Sequence, residues 1–184
     1  MKRIQLLIFV LYVLLPLQGQ RAVSFFEEHI DFSLDSTYFS INGIFSFRNE
    51  TSAGVSQPIV FPFAGYTAAI DSIRILKLPS GSRVNFERQE KSIRFVLTLL
   101  PGETVDLNIF YRQPSSVENT YIISSTQSWG KPLEIAEYTL TTGTGIVPRY
   151  FSYAPDSEEV ISNRRRYRWQ KTNFLPDHEF EIKL

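Results

Sequence analysis

Apolar and polar residues alternate with a period of two over most of the chain, the pattern of strands with one buried and one wet face. Phe26, Glu28, Ile30, Phe32 and Leu34 fall on one face of a first strand, with Glu27, His29, Asp31 and Ser33 on the other. Phe39, Ile41, Gly43, Phe45 and Phe47 repeat the pattern, and residues 49–56 are polar and read as a loop. Ile59 to Phe63 is a short strand whose Pro62 suits an edge or a bulge, because proline donates no ladder hydrogen bond.

Residues 71–112 read as a four-stranded meander. Ile73 and Ile75 open it, and Leu78-Pro79-Ser80-Gly81 has the residues of a type I turn. Val84 and Phe86 mark a short return, and Ile93, Phe95, Leu97 and Leu99 form the third strand. Pro101-Gly102 sits at the centre of a type II turn, whose second central residue needs positive φ. Val105, Leu107, Ile109 and Tyr111 share one face of the fourth strand. Further on, strands are expected at residues 121–126, 134–141, 149–153, 166–171 and 179–184. Residues 128–132 read as a turn, and residues 155–159 as one helical turn capped by Asp156. About ten to twelve short strands with frequent turns and no long helical pattern predict an all-β, two-layer antiparallel β-sandwich.

The first twenty residues break this pattern. Met1-Lys2-Arg3 is a positive start, Ile4 to Leu17 is nearly unbroken apolar sequence, and Gln18-Gly19-Gln20 is a short polar exit. Those are the three parts of a secretory signal peptide, and the apolar run is short of the roughly 20 residues a spanning helix needs. The expected organisation is therefore a signal at residues 1–20 and a single domain at 21–184, secreted or periplasmic. No cysteine follows the signal, which excludes a lipid-modified cysteine anchor.

Composition narrows the function classes. Absence of cysteine removes disulfides, thiol nucleophiles and cysteine-bearing metal sites. Taking Lys2 and Arg3 from the 19 basic residues leaves 17 against 19 acidic ones, so bulk attraction to nucleic acid is not expected. Neither a metal nor a cofactor is called for.

Candidate chemistry is sparse. His29 lies on the polar face of the first strand and His178 in a loop beside Asp177 and Glu179, where a cation could bind only if the loop converged. Ser128 and Lys131 have Ser-x-x-Lys spacing, but Gly130 and Pro132 break the helix that would bring them together. Carboxylate pairs such as Glu27 with Glu28, Glu134 with Glu137, and Glu158 with Glu159 do not differ from solvated faces. The densest feature is Arg164, Arg165, Arg166 and Arg168 interleaved with Tyr167 and Trp169, where guanidinium forks and aromatic faces suit anionic glycan or lipid head groups. The same arginines could instead protect a strand edge from pairing with another molecule. Trp129 is the other residue able to stack on a sugar ring.

Tyr121 to Thr126 leading into Trp129-Gly130-Lys131-Pro132, with Phe61-Pro62-Phe63, Pro101-Gly102-Glu103 and Asn173-Phe174-x-Pro176, resembles exported bacterial β-sandwich proteins of unknown function. The resemblance implies a β-sandwich outside the cytoplasm and carries no activity. The sequence thus favours a non-enzymatic binding or structural module with an envelope protein or glycan as partner and at most peripheral contact with a membrane. It leaves open an anionic-ligand binder or a carboxylate-using polysaccharide or ester hydrolase.

Overall fold

The computed structural model describes residues 22–184; the expected signal segment, residues 1–20, lies outside the described residues. Strands are numbered in chain order. A large eight-stranded sheet contains β1 (Val23–Leu34), β2 (Tyr38–Asn49), β4 (Asp71–Leu78), β5 (Ser82–Arg83), β8 (Thr104–Pro114), β10 (Leu133–Thr142), β12 (Ser157–Ile161) and β13 (Arg164–Phe174). Its order is β12-β13-β10-β1-β2-β8-β4-β5. Two three-stranded sheets make the second layer. One joins β3 (Val55–Pro62), β7 (Ser92–Leu99) and β6 (Glu87–Arg88), and the other joins β11 (Tyr150–Phe151), β14 (Phe180–Lys183) and β9 (Glu118–Tyr121). The chain is all-β, as its alternation predicts, and its strand pairs are antiparallel except for β1 with β10.

Alternation places Ile30, Phe32 and Leu34 of β1 and Phe39, Ile41, Phe45 and Phe47 of β2 on the inner face, all buried. The two small sheets meet that face through aromatic side chains. Phe32 stacks on Phe180 at 5.0 Å between ring centroids, and Phe45 meets Phe61 edge-on at 5.4 Å. Such geometry adds about 0.5–1.5 kcal/mol per pair to the stabilisation from burial.

Five local expectations are corrected. The register of β1 against β2 shifts between Phe25 and Glu27, a β-bulge. It turns Phe25 inward and leaves Phe26 half-buried under the Arg48 guanidinium, 4.2 Å from the ring centre. Residues 71–112 are not one meander: β4, β5 and β8 belong to the large sheet, whereas β6 and β7 cross to a small one. Residues 124–126, expected to end the strand at 121–126, instead open a 3-10 helix, Ser124–Trp129, ended by Gly130 at φ +75°. Residues 157–161 form strand β12 rather than a helical turn, because they pair along β13. Asp156 still receives a backbone N–H, from Gln170 at 2.7 Å, but across the sheet. The turn at Pro101-Gly102 matches its prediction, with Gly102 at φ +66° and the Glu103 N–H donating to Leu100 O at 3.1 Å. At the other proline turn the Leu78–Pro79 peptide is cis, which differs from the expected type I geometry.

Candidate functional site

Period two along β13 divides the arginine run between two faces. Arg165 lies on the inner side and forms an ion pair with Glu158. Arg164, Arg166 and Arg168 lie on the outer face of the large sheet, where they line a shallow groove of about 570 Å³. Glu159 Oε1 receives both Arg168, at 2.9 Å, and Arg166, at 3.4 Å. Arg164 has no carboxylate partner among the described residues.

Strand register lays the rest of the groove out in rows. Arg168 stands opposite Thr139 of β10, Thr139 opposite Asp31 of β1, Asp31 opposite Asn42 of β2, and Asn42 opposite Phe110 of β8. The adjacent row runs from Arg166 through Thr141 and Ser33 to Ser40. Arg164, Arg166 and Arg168 therefore line one side, hydroxyl and amide groups form the floor, and the half-buried Phe110 ring, with the Arg74 guanidinium 5.5 Å from its centre, closes the other side.

The two tryptophans are placed elsewhere. Trp169 is 1% exposed, packs edge-on against Phe180 and donates its indole N–H to Tyr153 O at 2.8 Å. Trp129 is half-buried beside Phe25 and Phe47. Thus the structure brings together Arg164, Arg166 and Arg168, and does not bring Arg165, Trp129 or Trp169 to them.

Trp129 instead borders a cavity of about 40 Å³ between the layers, whose wall includes Glu28. That carboxyl is 1% exposed and accepts hydrogen bonds from the Tyr138 and Tyr121 hydroxyls. Burial pushes its pKa up to about 7, although the hydrogen bonds from Tyr138 and Tyr121 and the neighbouring His29 pull the other way. The sequence offers Glu28 both as an acid on an apolar face and, paired with Glu27, as part of a solvated one; the structure buries it.

Both histidines meet carboxylates, yet neither has a nitrogen free to act as a general base. His29 Nε2 lies 2.5 Å from Glu27 and its Nδ1 3.0 Å from Glu137. A carboxylate at each ring nitrogen favours the doubly protonated ring. Burial opposes that charge, but the bonds to Glu27 and Glu137 outweigh it and hold the pKa above its ordinary value. His178 Nδ1 pairs with Asp177 at 2.6 Å and its Nε2 meets the Ser152 carbonyl at 3.2 Å, with the ring stacked on Tyr153. Lys131 pairs with Glu50 at 2.7 Å rather than with Ser128. Among the described residues no group of three or more acids and histidines is arranged to hold a metal ion.

No family model matches the chain, and no curated protein does. Solved structures do match its fold. A "putative nutrient binding protein" from Legionella pneumophila superposes with a TM-score of 0.71 at 13% identity, over 89% of this chain and 67% of that one. An M1 zinc metallopeptidase from Deinococcus radiodurans superposes with a TM-score of 0.55 at 12% identity, over 90% of this chain and 43% of the peptidase. The chain therefore spans less than half of the peptidase. Its own 184 residues contain no His-Glu-x-x-His, the motif by which one helix holds zinc and a general base. At these identities the likeness is one of fold.

Proposed function

We propose that this protein is an exported, non-enzymatic binding module whose ligand face is the outer side of the eight-stranded sheet. The observation carrying this reading is the groove itself. It has about 570 Å³ of open space, three arginines along one wall and a floor of hydroxyl and amide groups on paired strands. Binding sites need a few well-placed polar groups on a stable scaffold, and catalysis needs in addition a reactive group. The engaged ring nitrogens of His29 and His178 argue against hydrolysis by a histidine base. A nutrient-binding role, the activity named for the Legionella protein, is compatible with such a face. Export is proposed from the charged start and apolar run of residues 1–17.

The test is a panel of immobilised neutral and acidic saccharides, peptides and envelope extract, probed with wild-type protein and with the combined variant Ser33→Ala, Asn42→Ala, Arg166→Gln. At least one defined ligand should be retained by the wild type and released by the variant. If nothing is retained, or if retention is indifferent to the variant, the reading is wrong.

A further inference from the structure

We infer that the ligand of the groove is an acidic saccharide, its carboxylate or sulfate held by Arg164, Arg166 and Arg168 and its ring laid across the polar floor toward Phe110. The inference rests on the proposed binding role and adds the ligand's chemistry.

Three features lead to it. The first is an anion seat. Arginines at every second position of β13 stand about 6.6 Å apart along the strand, all on one face. Each guanidinium has five N–H donors, and Glu159 offers one oxygen to Arg166 and Arg168 together, so most of those donors remain available. Arg164 has no carboxylate at all among the described residues. A forked donor set of this kind matches a carboxylate or sulfate oxygen pair.

The second is the floor. Thr139, Thr141, Ser33, Ser40 and Asn42 are surface positions on three adjacent strands, and each can both donate and accept. Asn42 Oδ1 already accepts from Asn108 Nδ2 at 2.8 Å, which leaves the Asn42 amide as a donor. Alternating donors and acceptors suit a ring bearing several hydroxyls. An acyl chain would gain nothing from them and would strip their water.

The third is the opposite wall. Phe110 lines the groove across the sheet from Arg168, about 19 Å away by strand spacing, with the Arg74 guanidinium over one face of its ring and the rest of the ring toward the groove. Aromatic faces pack against the C–H faces of sugars. Asp31 lies between the two and would repel a continuous polyphosphate backbone, while it can accept a hydrogen bond from a hydroxyl. A ligand with one anionic group and a neutral, hydroxylated remainder fits this row from end to end.

Titration calorimetry on the purified protein tests the inference with a neutral glucose trisaccharide ending in a single glucuronic acid, maltotriose carrying a single sulfate, neutral maltotriose, sodium sulfate alone, and phosphatidylcholine–phosphatidylglycerol vesicles. One of the two acidic sugars should bind at least about tenfold more tightly than maltotriose, the scale of one hydrogen bond to a charged group. Which one binds tells carboxylate from sulfate. Affinity should weaken with added salt. Arg164→Gln with Arg166→Gln should lose about tenfold or more, Phe110→Ala should weaken the sugar, and Arg83→Gln at the far edge should change nothing. Glu159→Gln should bind several-fold tighter, because it releases Arg166 and Arg168, an outcome that damage to folding could not mimic.

Equal affinity for neutral and acidic sugars, abolished by Ser33→Ala with Asn42→Ala, would overturn the acidic saccharide and keep the binding groove. Binding of sulfate alone or of vesicles as tightly as any sugar would overturn the saccharide too. Binding indifferent to every groove substitution would sink both readings.

Discussion

Glu28 carries the clearest pH dependence at the scale of single residues. Its folded-state pKa of about 7 lies above the ordinary 4.5, so the folded protein holds the proton more tightly than the unfolded chain does. Its contribution to stability is fully present below pH 4.5 and is lost as pH rises through 7. The difference amounts to about 3 kcal/mol at most. Glu28→Gln keeps an acceptor for Tyr138 and Tyr121 and removes the titration. We expect the variant to be more stable than wild type at pH 9 and nearly equal at pH 5, measured by urea midpoints at both. A wild-type midpoint that does not fall between those pH values would contradict the assignment. At the neighbouring position the sense of the residue is reversed in space: His29 points to the outer face, where its ring is sandwiched by acids.

Strands are where sequence and structure agree most closely and also where they part. Along β2 every expected inward residue is buried, because both of its neighbours, β1 and β8, enforce a strict period of two. Gly43 belongs to that row for a steric reason. A Cβ there would stand 2.5 Å from the Phe45 ring, which is itself held edge-on by Phe61. Gly43→Ala should cost about 1–3 kcal/mol through overpacking, read as a lowered thermal or denaturant midpoint. A neutral result would show that the ring has room to move. Elsewhere local signals misled. The β-branched residues at 122, 123 and 126 suggest strand, but the chain turns there to bring the Ile123 and Ser124 N–H groups to Glu179. Asp156 and the acids after it have the look of a helix start, and pairing with β13 overrides that preference. Of the groove, the arginines were legible as a dense basic run. Asp31, Ser33, Asn42 and Phe110 were not, because a polar position on one strand gains meaning only when its neighbouring strand is known.

The described residues share one contiguous hydrophobic core running through both small sheets. The chain should therefore unfold as a unit from residue 22 onward, and its tryptophans can check this. Trp129 reports on the region of Phe25 and Phe47, and Trp169 on the region of Phe151 and Phe180. In single-tryptophan variants made by Trp129→Phe and Trp169→Phe, fluorescence and far-UV circular dichroism should each give a single transition. After correction for the variants' own stabilities the midpoints should coincide; separated transitions would reveal two folding units. The parallel pairing of β1 with β10 imposes an order on how the molecule is made. His29 and Glu137, partners across that junction, are 108 residues apart, so during synthesis the first strand emerges long before its mate. Until Leu133–Thr142 arrives, one flank of β1 is an open seam in what will become the middle of the sheet. A nascent chain in that condition can wait or pair wrongly until the seam is closed.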